Sequence, residues 1–403
     1  MSQTQLKDWN TDKAAEVSAV SGDQSVRFRR LALTDFRSYG RAEMEMDGRP
    51  VVIAGENGAG KTNILEALSL IGPGRGLRGS RLHELPRIEG AGGWAVSARM
   101  SQGDDERRLG VGAMASAPER RVCRIDEQSA SGPSSFVPHV RMVWLTPAQD
   151  RLFMEGAGER RRFLDRMALS HDPAHGRAAS DYEKSMRQRQ RLLDERSGDD
   201  QWICALEAQM AEAGVAVAAA RRETAARLVS VEVGSDADLF PTADLSLEGY
   251  LETALGEMSA ADVEDEYIAR LAGQRNLDRD AGRALLGPHR SDLIVVHREK
   301  ARAARLCSTG EQKALLIGLV LANARALAQK PAFDSGRPAP LILLLDEIAA
   351  HLDVNRRAAL FDILDDIGFQ SFMTGTDKGL FSSWAARAQG FTVSENKITE
   401  FDI

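Results

Sequence analysis

The chain has 403 residues, 43% of them hydrophobic and 28% charged, with a net charge of −7 at pH 7. That length accommodates two or three domain-sized units, and the acidic balance discourages a reading based on bulk attraction to nucleic acid while leaving room for local basic faces. The most uniform aliphatic run, Leu341 to Leu345, is far shorter than the roughly 20 apolar residues needed to cross a bilayer.

Residues 1–25 are polar and mixed in charge, and are expected to be a disordered N-terminal tail or an over-extended gene start rather than a leader segment. Cys123, Cys204 and Cys307 are scattered, which suggests neither a disulfide framework nor a zinc site and fits a reducing cytoplasm. From 26 to 157 short β-like runs alternate with Gly-rich breaks. Within that zone, Gly55-Glu56-Asn57-Gly58-Ala59-Gly60-Lys61-Thr62 satisfies the spacing G-x-x-x-x-G-K-[ST]. An apolar strand, Val51 to Ala54, precedes it. A helix with Ile64, Leu65, Leu68 and Ile71 on one face follows. Backbone N–H groups of such a loop converge on phosphates, Lys61 reaches the β/γ oxygens, and Thr62 serves as a Mg²⁺ ligand. This is a nucleotide site.

Residues 158–284 read as a helical insertion, interrupted by Pro173 and Pro241. Between Arg160 and Arg191 there are nine Arg/Lys against four Asp/Glu. Arg160, Arg161, Arg187, Arg189 and Arg191 are the candidates for phosphate contacts to DNA; a solvated helix face with internal ion pairs explains the same composition equally well. The stretch Asp236 to Glu266 is strongly acidic. Heptads are not sustained, so long coiled-coil arms are not expected.

Residues 285–403 alternate strand and helix again. Ser308-Thr309-Gly310-Glu311-Gln312 has the serine cap and first-turn acid of a helix start, and read alone is as readily an ordinary cap as a ligand site. Leu341 to Leu345 reads as a strand buried on both faces. It ends in Asp346-Glu347, placed for Mg²⁺ binding and for activating the attacking water respectively. The two nucleotide-site halves lie in the first and third zones, so these must fold together as one α/β head. Thr376 and Asp377 are either γ-phosphate contacts or turn residues.

Taken in order, these segments resemble ABC-type ATPases. Leu306-Cys307-Ser308-Thr309-Gly310-Glu311-Gln312 is similar to the signature LSGGQ, with Thr309 in place of the first glycine, and Ala350-His351-Leu352-Asp353 is similar to the D-loop. Five further segments narrow the likeness to the RecF family: Leu33-Thr34-Asp35-Phe36-Arg37-Ser38-Tyr39; the P-loop with its trailing Asn63; Glu159-Arg160-Arg161-Arg162-Phe163-Leu164-Asp165; Tyr182 through Leu193; and Gly287-Pro288-His289-Arg290-Ser291-Asp292. The family's R-S-[FH]-R stands here as Arg75-Gly76-Leu77-Arg78. The resemblance to ABC-type ATPases would put Gln149 at the position of a Q-loop glutamine.

The resemblance implies a mixed-sheet, ABC-type head with an inserted helical lobe. It also implies a weak, DNA-stimulated ATPase that acts as a switch with ATP and Mg²⁺. Ser308, Gly310 and Asp353 would complete the partner's site in an ATP-dependent homodimer. The further implications are DNA gaps or junctions as ligand, RecR and RecO as partners in loading the recombinase, and a part in the SOS response. The alternative is another SMC-like ATPase that tethers DNA; a transporter subunit is disfavoured by the absence of a switch histidine after the strand Gln370 to Met373.

Overall fold

The computed structural model describes residues 25–195, 200–231, 239–329, 331–332, 337–338 and 340–403; apart from Ser25, the expected tail lies outside them. The first zone holds β1 (Val26–Phe36), β2 (Tyr39–Glu45), β3 (Val51–Ala54), α1 (Lys61–Ser69), β4 (Trp94–Gln102), β5 (Asp105–Met114), β6 (Ala117–Ile125), β7 (Gln128–Ala130) and β8 (Arg141–Leu145). The middle of the chain forms α2 (Ala157–His171), α3 (His175–Asp194), α4 (Asp200–Ser230), β9 (Ala243–Glu248), α5 (Tyr250–Ala254), α6 (Ala260–Gly273) and α7 (Arg275–Ala281). The last part contributes β10 (Asp292–His297), β11 (Arg302–Ala303), α8 (Thr309–Ala328), the two-residue strands β12 (Pro331–Ala332) and β13 (Arg337–Pro338), β14 (Leu341–Leu345), α9 (Val354–Ile367), β15 (Gln370–Gly375), β16 (Gln389–Ser394) and β17 (Lys397–Phe401).

Among the described residues, two six-stranded sheets form the head. One is antiparallel, in the order β2-β1-β4-β5-β6-β7; the other runs β17-β16-β3-β15-β14-β8 and is parallel from β16 to β8. The second sheet interleaves strands from both ends of the chain, as the divided nucleotide motifs require.

β14 shows why its sequence is unbroken aliphatic. Ile342 and Leu344 pack with Val51, Ile53, α1 and the antiparallel sheet. Leu341, Leu343 and Leu345 face the opposite way, into a core shared with Leu315, Leu319, Leu360 and Phe361 of α8 and α9. A strand between two apolar layers has no polar face to show, and each buried leucine contributes about 1.5–3 kcal/mol.

The middle zone is less uniformly helical than its composition suggests. β9 lies inside the acidic stretch, with Ala243, Leu245 and Leu247 alternating with exposed Asp244, Ser246 and Glu248, and it pairs antiparallel with β10. α2 and β9 send Phe163, Leu164, Met167 and Ala243 into the head core. A separate core gathers Tyr182, Met210, Val215, Leu251, Val263, Tyr267 and Leu271 from α3 to α6.

By length and composition, α4 could span a membrane. The linear reading overlooked it because its apolar residues are interspersed with alanine and charge. It packs against α2, α3, α6 and α8, burying Met210, Val215, Val217 and Leu228. Its hydrophobicity belongs to the core of the lobe.

Candidate nucleotide site

β3 delivers the chain to the loop at 55–60. Gly55 donates its N–H to the Gly375 carbonyl at 3.2 Å. Gly60 caps α1 at φ +109°, where an added Cβ would sit 2.7 Å from the Tyr39 hydroxyl, so glycine is required on both conformational and steric grounds. Glu56, Asn57 and Gly58 are exposed at the loop tip, and Ala59 is half-buried. The loop tip thus faces solvent just before the N-terminus of α1, where a phosphate would be received.

Lys61 is buried and folds back over the loop, donating to the carbonyls of Gly55 at 2.7 Å and Glu56 at 2.9 Å. Its ammonium stands 3.9 Å from the Glu347 carboxylate. Burial pushes the lysine below its ordinary range, against the opposing pull of Glu347 and Asp346. Thr62 donates toward Asp346, 3.1 Å from both carboxylate oxygens. These hard oxygens are the donor types Mg²⁺ takes; Thr62 and Asp346 would hold the ion between them.

Thr374, which sequence reading did not single out, completes the cluster. It donates to Asp346 Oδ1 at 2.7 Å and accepts the Glu347 N–H at 2.9 Å. Glu347 is partly exposed and has φ +54°, a left-handed conformation that non-glycine residues adopt at a cost.

The segment at 33–39 supports the loop from below. Tyr39 donates to the Gly60 carbonyl at 3.1 Å, and Ser38 accepts from Asn63 at 3.0 Å. Arg37 grips buried Glu66 of α1 at 2.6 and 2.8 Å. Arg78 reaches both Asn63 and Glu66. Glu66 was not among the sequence candidates; a lone acid on an apolar helix face was its signal.

Ser308 caps α8 reciprocally with Glu311. Ser308, Thr309 and Gly310 are exposed, and a Cβ at Gly310 would meet nothing within 4 Å. Asp353 caps α9 through the Arg356 N–H at 2.9 Å. Gln149 sits in a short turn with its Nε2 buried and lacking a hydrogen-bond partner among the described residues; the next residue, Asp150, pairs with Lys313 of α8 at 2.9 Å. Asp377 caps the turn Lys378–Phe381, and Thr376 is exposed.

The basic run divides. Arg189 is a correction: it is 1% exposed and held by Glu207 at 2.9 Å, Asp278 at 2.6 Å and the Leu271 carbonyl at 2.8 Å. No phosphate reaches it. Arg160 is bidentate with Asp292 at 2.7 Å, and Arg161 donates to the Ser291 carbonyl; both tie α2 to the start of β10 rather than facing solvent freely. Arg187 and Arg191 are exposed one turn apart on α3, Arg187 within 3.4 Å of Glu183.

The family model described as the RecF/RecN/SMC N-terminal domain matches residues 27–400. The RecF protein of Rhizobium leguminosarum bv. trifolii, a DNA replication and repair protein, is 49% identical over 377 residues, covering 93% of this chain and 99% of its own. That of Brucella abortus is 50% identical over 379 residues, covering 93% and 96%. The chain belongs to the RecF family.

Its fold agrees. The solved recombination mediator RecF-ATPrS of the RecFOR pathway superposes with a TM-score of 0.79 at 21% identity, covering 94% of this chain and 99% of that one. An Smc head bound to the C-terminal winged helix of ScpA follows at 0.53 and 14%, over 94% and 98%. This is the mixed-sheet head of an SMC-like ABC ATPase. Three of the RecF-like segments meet at one joint: Asp165 binds Arg221 at 2.7 and 2.9 Å, Arg221 reaches the Pro288 carbonyl at 2.6 Å, and Tyr182 bonds His289 at 2.7 Å.

Proposed function

We propose that this RecF-family chain is an ATP-dependent DNA-binding protein of recombinational repair, which closes as a homodimer on DNA and reopens after hydrolysis. The observation that carries the switch is the convergence of Lys61, Thr62, Asp346, Thr374 and Glu347 in one connected cluster, while the signature residues Ser308 and Gly310 lie exposed. In this reading Glu347 accepts a proton from water as the water oxygen bonds to the γ-phosphorus. The bond from that phosphorus to the β–γ bridging oxygen breaks, yielding ADP and phosphate. Thr62 and Asp346 would hold Mg²⁺, which would supply charge neutralisation at the phosphates.

The repair role, preference for gaps or junctions, co-operation with RecO and RecR and the link to the SOS response rest on family membership, as does action in the cytoplasm. Tethering through coiled-coil arms is disfavoured among the described residues, where α4, the longest helix, packs against α2, α3, α6 and α8.

The test is a mixture. Lys61→Met loses the phosphate cation and Ser308→Arg fills the space of the γ-phosphate cap, so neither alone dimerises on ATP. A mixed dimer assembles one composite site from intact halves. Sedimentation with ATP is expected to show partial dimerisation in the mixture alone; ATP-driven dimers of Lys61→Met by itself would overturn the assignment.

A further inference from the structure

The parallel register of the central sheet gives one buried hydroxyl a role that no motif marks. β14 pairs with β15 so that Leu345 lies opposite Met373. The residue after each, Asp346 and Thr374, therefore meet at the strand ends. On its other side Thr374 is opposite Ile53 of β3, the strand that feeds the phosphate loop. Thr374 thus stands between the two halves of the nucleotide site, fully buried.

Its hydroxyl both donates and accepts. The proton goes to Asp346 Oδ1 at 2.7 Å, and the oxygen accepts the Glu347 N–H at 2.9 Å. Glu347 is the one residue of this cluster with a left-handed backbone outside glycine, and such a conformation persists where surrounding contacts over-determine it. The anchored N–H is that contact. It fixes the peptide plane from which the Glu347 side chain leaves, and the same hydroxyl turns the Asp346 carboxylate toward Thr62, whose oxygen lies 3.1 Å away.

We infer that Thr374 is a positioning residue for hydrolysis: it orients the water-activating carboxylate and the metal-binding carboxylate together, without touching nucleotide. This rests on the reading of Glu347 as the base. A hydroxyl is the smallest group that both donates and accepts in that space. Valine has the same shape and can do neither.

The experiment compares Thr374→Val, Thr374→Ser and Glu347→Gln in the full-length chain. It measures steady-state ATP turnover with DNA present and, separately, affinity for a fluorescent ATP analogue. Thr374→Val is expected to lower kcat by roughly 10- to 100-fold, with KM and analogue affinity within about threefold of the parent, because the phosphate loop is intact. Thr374→Ser is expected to restore kcat to within about threefold. A general packing role would not produce this split or this rescue.

Parental kcat in Thr374→Val would overturn the inference while leaving Glu347 as base, provided Glu347→Gln is inactive. Parental turnover in Glu347→Gln would overturn both. Should the valine variant not fold, the serine variant decides: turnover as low as that of Glu347→Gln refutes an orienting hydroxyl, and near-parental turnover supports it.

Discussion

Asp165 shows how a single side chain in the basic run is spent on structure. Burial alone would raise its carboxyl, but hydrogen bonds and charge from His175 and Arg221 reverse that and bring it down to about 2. Its folded value is therefore depressed, and the stability it contributes is present above the ordinary carboxylate range. That stability disappears as pH falls through about 2. Asp165→Asn is expected to cost about 2 kcal/mol at neutral pH. The gap from the parent should narrow between about pH 4 and pH 2. Urea unfolding at a series of pH values measures it, and a pH-independent gap would show that the Asp165 charge is not what Arg221 and His175 hold.

At the scale of elements, the head and the lobe depended on the sequence in different ways. The phosphate loop, β14 with Asp346-Glu347, and the capped start of α8 were legible because each is set by local chemistry: glycine at a left-handed position, an aliphatic run between two layers, a reciprocal Ser308–Glu311 cap. The strand β9 was not, because it is short and lies within a stretch rich in acids, where only its two-residue alternation betrays it. Thr374 was invisible for another reason. Its partner is 28 positions away and is fixed by strand register, which no linear pattern encodes.

Arg189 makes the same point within a charge run. Its neighbours Arg187 and Arg191 are exposed, yet a step of two residues on a helix turns a side chain to nearly the opposite face. Arg189 points inward to join α3, α4 and α7 through Glu207 and Asp278. Removing one member of a buried ionic network leaves uncompensated charge, and typically costs about 3–5 kcal/mol. Arg189→Met is therefore expected to lower the unfolding midpoint of the lobe markedly. ATP-analogue binding by the folded fraction should remain normal, since the phosphate loop is in the head. A variant as stable as the parent in urea would mean the network contributes no net stability.

For the whole molecule, net charge is −7, so any grip on DNA depends on where cations are left unspent. With Arg189 buried and Arg160 and Arg161 engaged at the start of β10, the five arginines named from the sequence reduce to Arg187 and Arg191, exposed on one face of α3. Cations that neutralise phosphates release counterions, so binding through them is insensitive to sequence and steeply dependent on salt. Removing one such cation reduces the slope of log K against log salt by about 0.9. The paired variant Arg187→Ala/Arg191→Ala is expected to weaken ATP-dependent binding of gapped duplex and to flatten that slope by about 1.8. Arg187 also gives up an exposed ion pair with Glu183, which costs the fold at most a few tenths of a kcal/mol, so ATP binding and thermal stability should stay at parental values. The measurement is fluorescence anisotropy with labelled DNA across a salt series, with nucleotide present throughout. An unchanged slope would identify the two arginines as solvated surface and direct the search to the head, where Arg75 is exposed beyond the end of α1 while Arg37 and Arg78 are already bound to Glu66.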